Sequence, residues 1–240
     1  KIIFPDVNDE QNIFYIGDLK VTPAFQNKTL SYRLMMHLME ERYNPTIPLV
    51  SVVMEGTNVT PDNYTGRLGL PAFSAFDKYY ILQLKAQAYV DLGVDVCSNE
   101  KGIHRFAEIY QKPYFKPHSI PLRAKPPFEW ICYKEESCAL FENTMNAKRL
   151  FINDGNEMKN AHLSYLAFRK PESAYPIISH ALALAKDHNY EALFLALTEN
   201  EYHELSKVLK TLPVIHVAKA RVYGSANVKS IHFNLNTAEI

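Results

Sequence analysis

Two apolar runs flank a helical pattern near the start of the chain, and that alternation limits the fold more than any other feature. Residues 13–21, IFYIGDLKV, are rich in β-branched and aromatic side chains, as are residues 48–55, PLVSVVME. Between them, over residues 29–43, Leu30, Leu34 and Leu38 recur every fourth position with Met35 beside them, the spacing of one helix face. Asn44-Pro45 closes the helix, because a proline disfavours helical geometry in the residue before it. Two strands joined through a helix of this length run parallel, so the segment predicts a βαβ unit.

The second half repeats the outline. HLSYLAF at 162–168 is a strand candidate, Ile178, Leu182 and Ala185 share a helix face, and EALFLALTE at 191–199 is a second strand. An offset of about 145 positions lays Leu166 on Val21 and Leu182 on His37, a match of pattern rather than identity. The expected class is therefore α/β (α+β), a mixed β-sheet flanked by helices, in two related halves. Strands are also expected at 79–84 and 214–223, a short helix at 102–111, and paired strands at 137–143 and 148–153 turning at Asn146. Five prolines fall within residues 113–127, an irregular connector. The expected division is a core at 1–90, a connector with a short helix at 91–127, and a second domain at 128–240.

Composition excludes several classes. The 240 residues are 47% apolar, enough for real cores, and 26 basic residues balance 26 acidic ones, which gives neither a nucleic-acid footprint nor an anionic membrane partner. The three cysteines, Cys97, Cys132 and Cys138, form no C-x-x-C pair, so reduced thiols are expected in place of a zinc site or disulfide framework. His162, His180, His188, His203 and His216 are scattered without metal-ligand spacing. No apolar run nears the roughly 20 residues of a membrane span and no signal-peptide pattern is present, so a cytoplasmic protein is expected.

The turn Gln26-Asn27-Lys28-Thr29-Leu30-Ser31 opens the first helix. A helix N-terminus presents unpaired N–H groups and a partial positive charge, both favourable to phosphate. Asn27 can cap the helix, Lys28 adds charge, Thr29 and Ser31 are small, and no proline removes an amide. An ordinary capped helix would carry the same residue types.

The order of strand, V-x-P-x-x-Q-x-x-small-x-small, helix and strand resembles the GNAT superfamily of acyl-CoA-dependent N-acyltransferases. Gln26, Thr29 and Ser31 stand where that family places (Arg/Gln)-x-x-Gly-x-(Gly/Ala), Val21 and Pro23 match its lead-in, and Asn58 followed by Gly69-Leu70 matches a later segment. The resemblance covers roughly residues 13–85. It implies a CoA thioester between splayed parallel strands, its pyrophosphate held by backbone N–H groups of Gln26 to Ser31, with Asn58 nearby. The Val21 backbone would meet the pantetheine arm or polarise the acyl carbonyl, and an amine would attack the thioester.

Three departures accompany the resemblance. Thr29 and Ser31 replace the family's glycines. The family's acid, a tyrosine seven residues after the asparagine, is Thr65 here; Tyr64 precedes it, displaced by about 100° on an α-helix. Only a dozen residues precede Ile13, where the family places three strands and two helices, so a truncated first domain or fragment is expected. Tyr64 as acid and Glu55 as base are the catalytic candidates. In the second half, Pro171, Ala174 and Pro176 take the places of Gln26, Thr29 and Ser31, and with Glu172 they predict no CoA binding there.

The sequence thus leads to an N-acetyltransferase moving an acetyl group from acetyl-CoA, without a metal, to a small-molecule or peptide amine. The alternative is a non-catalytic binding or structural protein on the same fold. Strand edges left open by the missing front strands favour homo-oligomers.

Overall fold

A computed structural model describes all residues except 6–7, 18–21, 26–28, 43, 45, 58–59, 65–70, 89, 117–127, 144–149, 152–153, 226–233 and 235–240. The side chains of residues 4, 23, 31, 32, 42, 64 and 150 are likewise outside the description. In chain order the first part contains β1 (Ile2–Phe4), β2 (Asp9–Gln11), β3 (Phe14–Ile16), α1 (Leu30–Arg42), β4 (Leu49–Met54) and β5 (Phe73–Lys85). A middle stretch holds β6 (Asp95–Cys97), α2 (Asn99–Ile109) and β7 (Tyr114–Phe115). The rest comprises β8 (Phe128–Tyr133), β9 (Ser137–Asn143), β10 (Leu150–Phe151), β11 (Glu157–Met158), β12 (Asn160–Phe168), α3 (Pro171–Asp187), β13 (Ala192–Thr198), α4 (Glu199–Glu204), α5 (Ser206–Leu209) and β14 (Val214–Ser225).

Nine strands form one mixed sheet in the order β3-β4-β14-β5-β13-β12-β9-β8-β6. Both expected βαβ units are present: β3 runs parallel to β4 and β12 parallel to β13. The sequence gives no sign of how they are joined. β5, which follows the first unit, pairs antiparallel with β13 of the second, and β14, which follows the second unit, pairs antiparallel with β4 of the first. The two long strands also pair with each other, with Tyr80 opposite Lys219 and Lys78 opposite Arg221. Each unit is completed by the other's last strand.

Alternation along the strands divides the core between the two faces. On one, α3 and α5 cover Leu82, Leu84, Leu163, Leu193 and Leu195, and α1 covers Leu49, Phe73 and Tyr223. On the other, α2 packs on Trp130, Leu140 and Tyr165, and Ile2 and Phe115 of the small sheet β2-β1-β7 cover Val50, Tyr79 and Val222. Gly102 lets α2 approach, since a Cβ there would lie 2.1 Å from the Trp130 ring.

Local expectations shift in instructive ways. Leu34 is 44% exposed, and α1 instead buries Met39 with Met35 against the sheet, a face rotated from the leucine stripe. β9 pairs with β8 and β12, and Leu150–Phe151 pairs with Glu157–Met158, while the expected turn at Asn146 lies outside the described residues. Residues 91–127 carry β6, α2 and β7, and residues 117–127 lie outside the described set. Among the described residues no helix is long and apolar enough to cross a membrane.

Candidate functional site

α1 begins where the sequence places it. The Thr29 carbonyl accepts from the Arg33 amide at 2.9 Å, which makes Thr29 the N-cap. The amides of Leu30, Ser31 and Tyr32 precede that first donor, so the helix itself offers them no acceptor. Its first turn contains no acidic side chain. Thr29 is exposed and Leu30 half-buried. Val21, Gln26, Asn27, Lys28 and Asn58 lie outside the described residues, as do the side chains of Ser31 and Tyr64.

Glu55 follows β4 in a tight turn. Its amide donates to the Lys219 carbonyl at 2.8 Å, and its carboxylate accepts from Arg221 Nε at 3.3 Å. Gly56, at φ +91, supplies the left-handed step that brings the Thr57 hydroxyl to the Met54 carbonyl at 2.8 Å. The turn rims a cavity of about 370 Å³ lined by Glu55, Thr57, Thr60, Arg221 and Tyr223 among others. Thr60 opens the 3-10 turn Pro61–Tyr64, its amide donating to Asn63 Oδ1 at 2.8 Å. Tyr64 therefore closes a short 3-10 turn and does not stand on an α-helix. A carboxylate has about four lone-pair sites, so Glu55 can receive a proton while Arg221 holds it. Arg221 and Tyr223 are unheralded in the sequence, because β14 brings them from the opposite end of the chain.

In the second βαβ unit the two parallel strands part before they end. Parallel pairing of β12 with β13 ends at Leu163 and Leu195, although β12 runs on to Phe168 and β13 to Thr198. Tyr165 sits at φ +53 within a register shift between Ser164 and Ala167, and this bulge turns β12 away. Tyr110, at the end of α2, reaches from one face of the sheet to Glu201 on α4 at the other, its hydroxyl donating to Oε1 at 2.9 Å. Glu201 Oε2 accepts the Thr198 amide at 3.0 Å, completing a capping box with both residues buried. Burial, then the Glu201 carboxylate, push the Tyr110 phenol well above its usual range.

The start of α3 is poorly suited to an anion, although it borders a cavity of about 700 Å³ lined by Pro171, Glu172, Tyr175, His203 and Lys207 among others. Pro171 has no N–H, Lys170 caps without a side-chain bond, and Glu172 places a negative charge in the first turn. The β8–β9 turn takes the neighbouring donors: Arg169 N reaches the Glu136 carbonyl at 2.8 Å and Arg169 Nε the Glu135 carbonyl at 3.0 Å. The positions matching Thr29 and Ser31 are thus Lys170 and Glu172; the expected Ala174 and Pro176 lie farther inside α3, which starts earlier than the offset implies. Among the described residues no group of three His, Cys, Asp or Glu side chains is placed to hold a metal.

No protein-family model matches the sequence, and no curated protein sequence matches it. Solved structures do match in shape. A Saccharomyces cerevisiae N-myristoyltransferase with bound myristoyl-CoA is similar over 99% of this chain and 68% of its own, with TM-score 0.61 and 10% identity. A second structure of that enzyme with bound myristoyl-CoA gives the same TM-score over 64% of its length, so the chain spans about two-thirds of that protein. A GCN5-related N-acetyltransferase from Sphaerobacter thermophilus is similar over 91% of this chain and 73% of its own, with TM-score 0.52 and 9% identity. The chain has the acyl-CoA N-acyltransferase fold.

Proposed function

We propose that this protein is an acyl-CoA-dependent N-acyltransferase whose co-substrate binds at the first βαβ unit. The observation that carries the reading is the asymmetry between the helix starts. α1 has a proline-free first turn without acidic side chains, whereas the start of α3 carries a proline and a glutamate.

The first-turn amides of α1, with Gln26, Asn27 and Lys28 before them, hold the pyrophosphate. The Val21 backbone and Asn58 meet the pantetheine arm and thioester. Glu55 accepts the proton of the attacking amine, and Tyr64 donates to the departing thiolate. Arg221 orients the Glu55 carboxylate. Acetyl-CoA is the first co-substrate to test and a small-molecule or peptide amine the acceptor, with transfer taking place in the cytoplasm. A second reading, a longer acyl chain, draws on the likeness to N-myristoyltransferase over 99% of this chain.

Calorimetry with acetyl-CoA and myristoyl-CoA, followed by turnover on an amine and peptide panel, tests the proposal. Binding with transfer supports it, and the chain length that turns over faster selects the acyl group. Binding without transfer favours the non-catalytic alternative, and no binding to either thioester overturns the cofactor site.

A further inference from the structure

The three cysteines, far apart in sequence, converge on the outer strands of the sheet. Cys132 on β8 lies directly opposite Cys138 on β9. Cys97 on β6 lies opposite Trp130, one step along the same face from Cys132. All three belong to one apolar cluster beneath α2. Their access to solvent differs: Cys138 is 0% exposed and Cys132 5%, while Cys97 is only partly covered.

We propose that these residues form a thiol relay, with Cys97 as the entry point and a Cys132–Cys138 disulfide as the product of oxidation by a hydroperoxide. Directly opposed residues on antiparallel strands have Cα atoms about 4.5–5.5 Å apart, inside the range a disulfide spans. Diagonal neighbours lie about 7–8 Å apart, so a Cys97–Cys132 bond is a strained and transient link.

The chemistry balances in three steps. The Cys97 thiol and hydrogen peroxide give a sulfenic acid and water. The Cys132 thiol displaces hydroxide from that sulfur, giving a Cys97–Cys132 disulfide and a second water. Cys138 then attacks Cys132 Sγ, forms the opposed disulfide and returns its proton to the leaving Cys97 thiolate. The buried pair does not react directly: burial, then the hydrogen-bonded Cys97 thiol, push the Cys132 thiol up to about 12, and burial pushes Cys138 up as well. Lys101 and Arg105 of α2 only partly offset that rise at Cys132. A single accessible thiol feeding an opposed pair also accounts for the odd cysteine count.

The intact protein is treated with hydrogen peroxide in the presence of dimedone, alkylated and digested with trypsin. Cleavage after Lys101 and Lys134 places the three cysteines on separate peptides. The expected product joins the Cys132 and Cys138 peptides, and a dimedone adduct on Cys97 competes with it by trapping the sulfenic acid. Cys97→Ser slows the link about tenfold or more. Cys138→Ser halts the sequence at a Cys97–Cys132 link, and Cys132→Ser leaves only the Cys97 adduct. Full alkylation of all three thiols after peroxide overturns the proposal. So does a Cys132–Cys138 link that forms at the wild-type rate in Cys97→Ser.

Discussion

The two βαβ units share a backbone plan and differ in what fills it. At the first, the helix start carries no proline or acidic residue in its first turn, and β14 adds Arg221 to the turn after the second strand. At the second, the pairing of β12 with β13 stops at Leu163 and Leu195, the buried Tyr110–Glu201 bond ties down the cap of α4, and Pro171 and Glu172 stand at the helix start. One scaffold thus holds two helix starts, one free of proline and acid and one carrying both beside a cavity of about 700 Å³. The width of a strand opening is no guide to function until its donors and acceptors are accounted for.

The sharpest way to break this comparison is to ask whether the units are independent at all. Leu49 is fully buried in the first unit, and Leu49→Ala should cost about 2–5 kcal/mol. Because β14 and β5 are shared, the loss should lower the midpoint of the Trp130 fluorescence transition, although Trp130 packs under α2 in the second. An unmoved Trp130 transition would show two separable domains.

The buried bond at the second unit is tested by Tyr110→Phe, which leaves a buried carboxylate oxygen without its donor and should cost about 1–3 kcal/mol in denaturant melts. It should also alter alkaline stability. Tyr79 and Tyr110 both have phenols pushed up by burial, so the unfolded chain loses these protons first, near pH 10. The stability they contribute is present below about pH 10 and is lost as pH climbs toward their folded values. Tyr110→Phe should flatten that alkaline decline, and an unchanged slope would argue against the assignment.

At the first unit, Ser31→Glu should weaken acyl-CoA binding about tenfold or more, equivalent to about 1.4 kcal/mol. A carboxylate in a first helical turn stabilises the helix, so thermal melting separates lost binding from lost structure. The smallest effect is expected from Glu172→Ser at the second unit. It removes a repelling charge but not Pro171 or the hairpin, so acyl-CoA titrations should show no added site.

Much of the plan is legible in the residues because it is local. The apolar runs at 49–54, 160–168 and 192–198 lie within or close to the expected strands, and α3 buries Ile178, Leu182 and Ala185 on one side. Periodicity fares worse at α1, where Leu34 matches the stripe but faces water and Met39 takes its place in the core. A constant offset between the halves carries the strands across but not the helix start, because β12 passes into α3 through only Arg169 and Lys170. Arg221, Tyr223 and the Tyr110–Glu201 bond could not be read in advance. Each depends on pairing between segments distant in the chain, which neither spacing nor composition records.

The exchanged strands also set a clock on the protein's birth. Val50 pairs with Gly224, about 170 residues later. At ribosomal rates of roughly 5–20 residues per second, β4 waits about 10–30 s for its neighbour to be made. During that interval a nascent chain presents Leu49 to Met54 as an apolar edge with a vacant side. Chaperone occupancy on translating ribosomes should therefore persist on the first unit until β14 emerges.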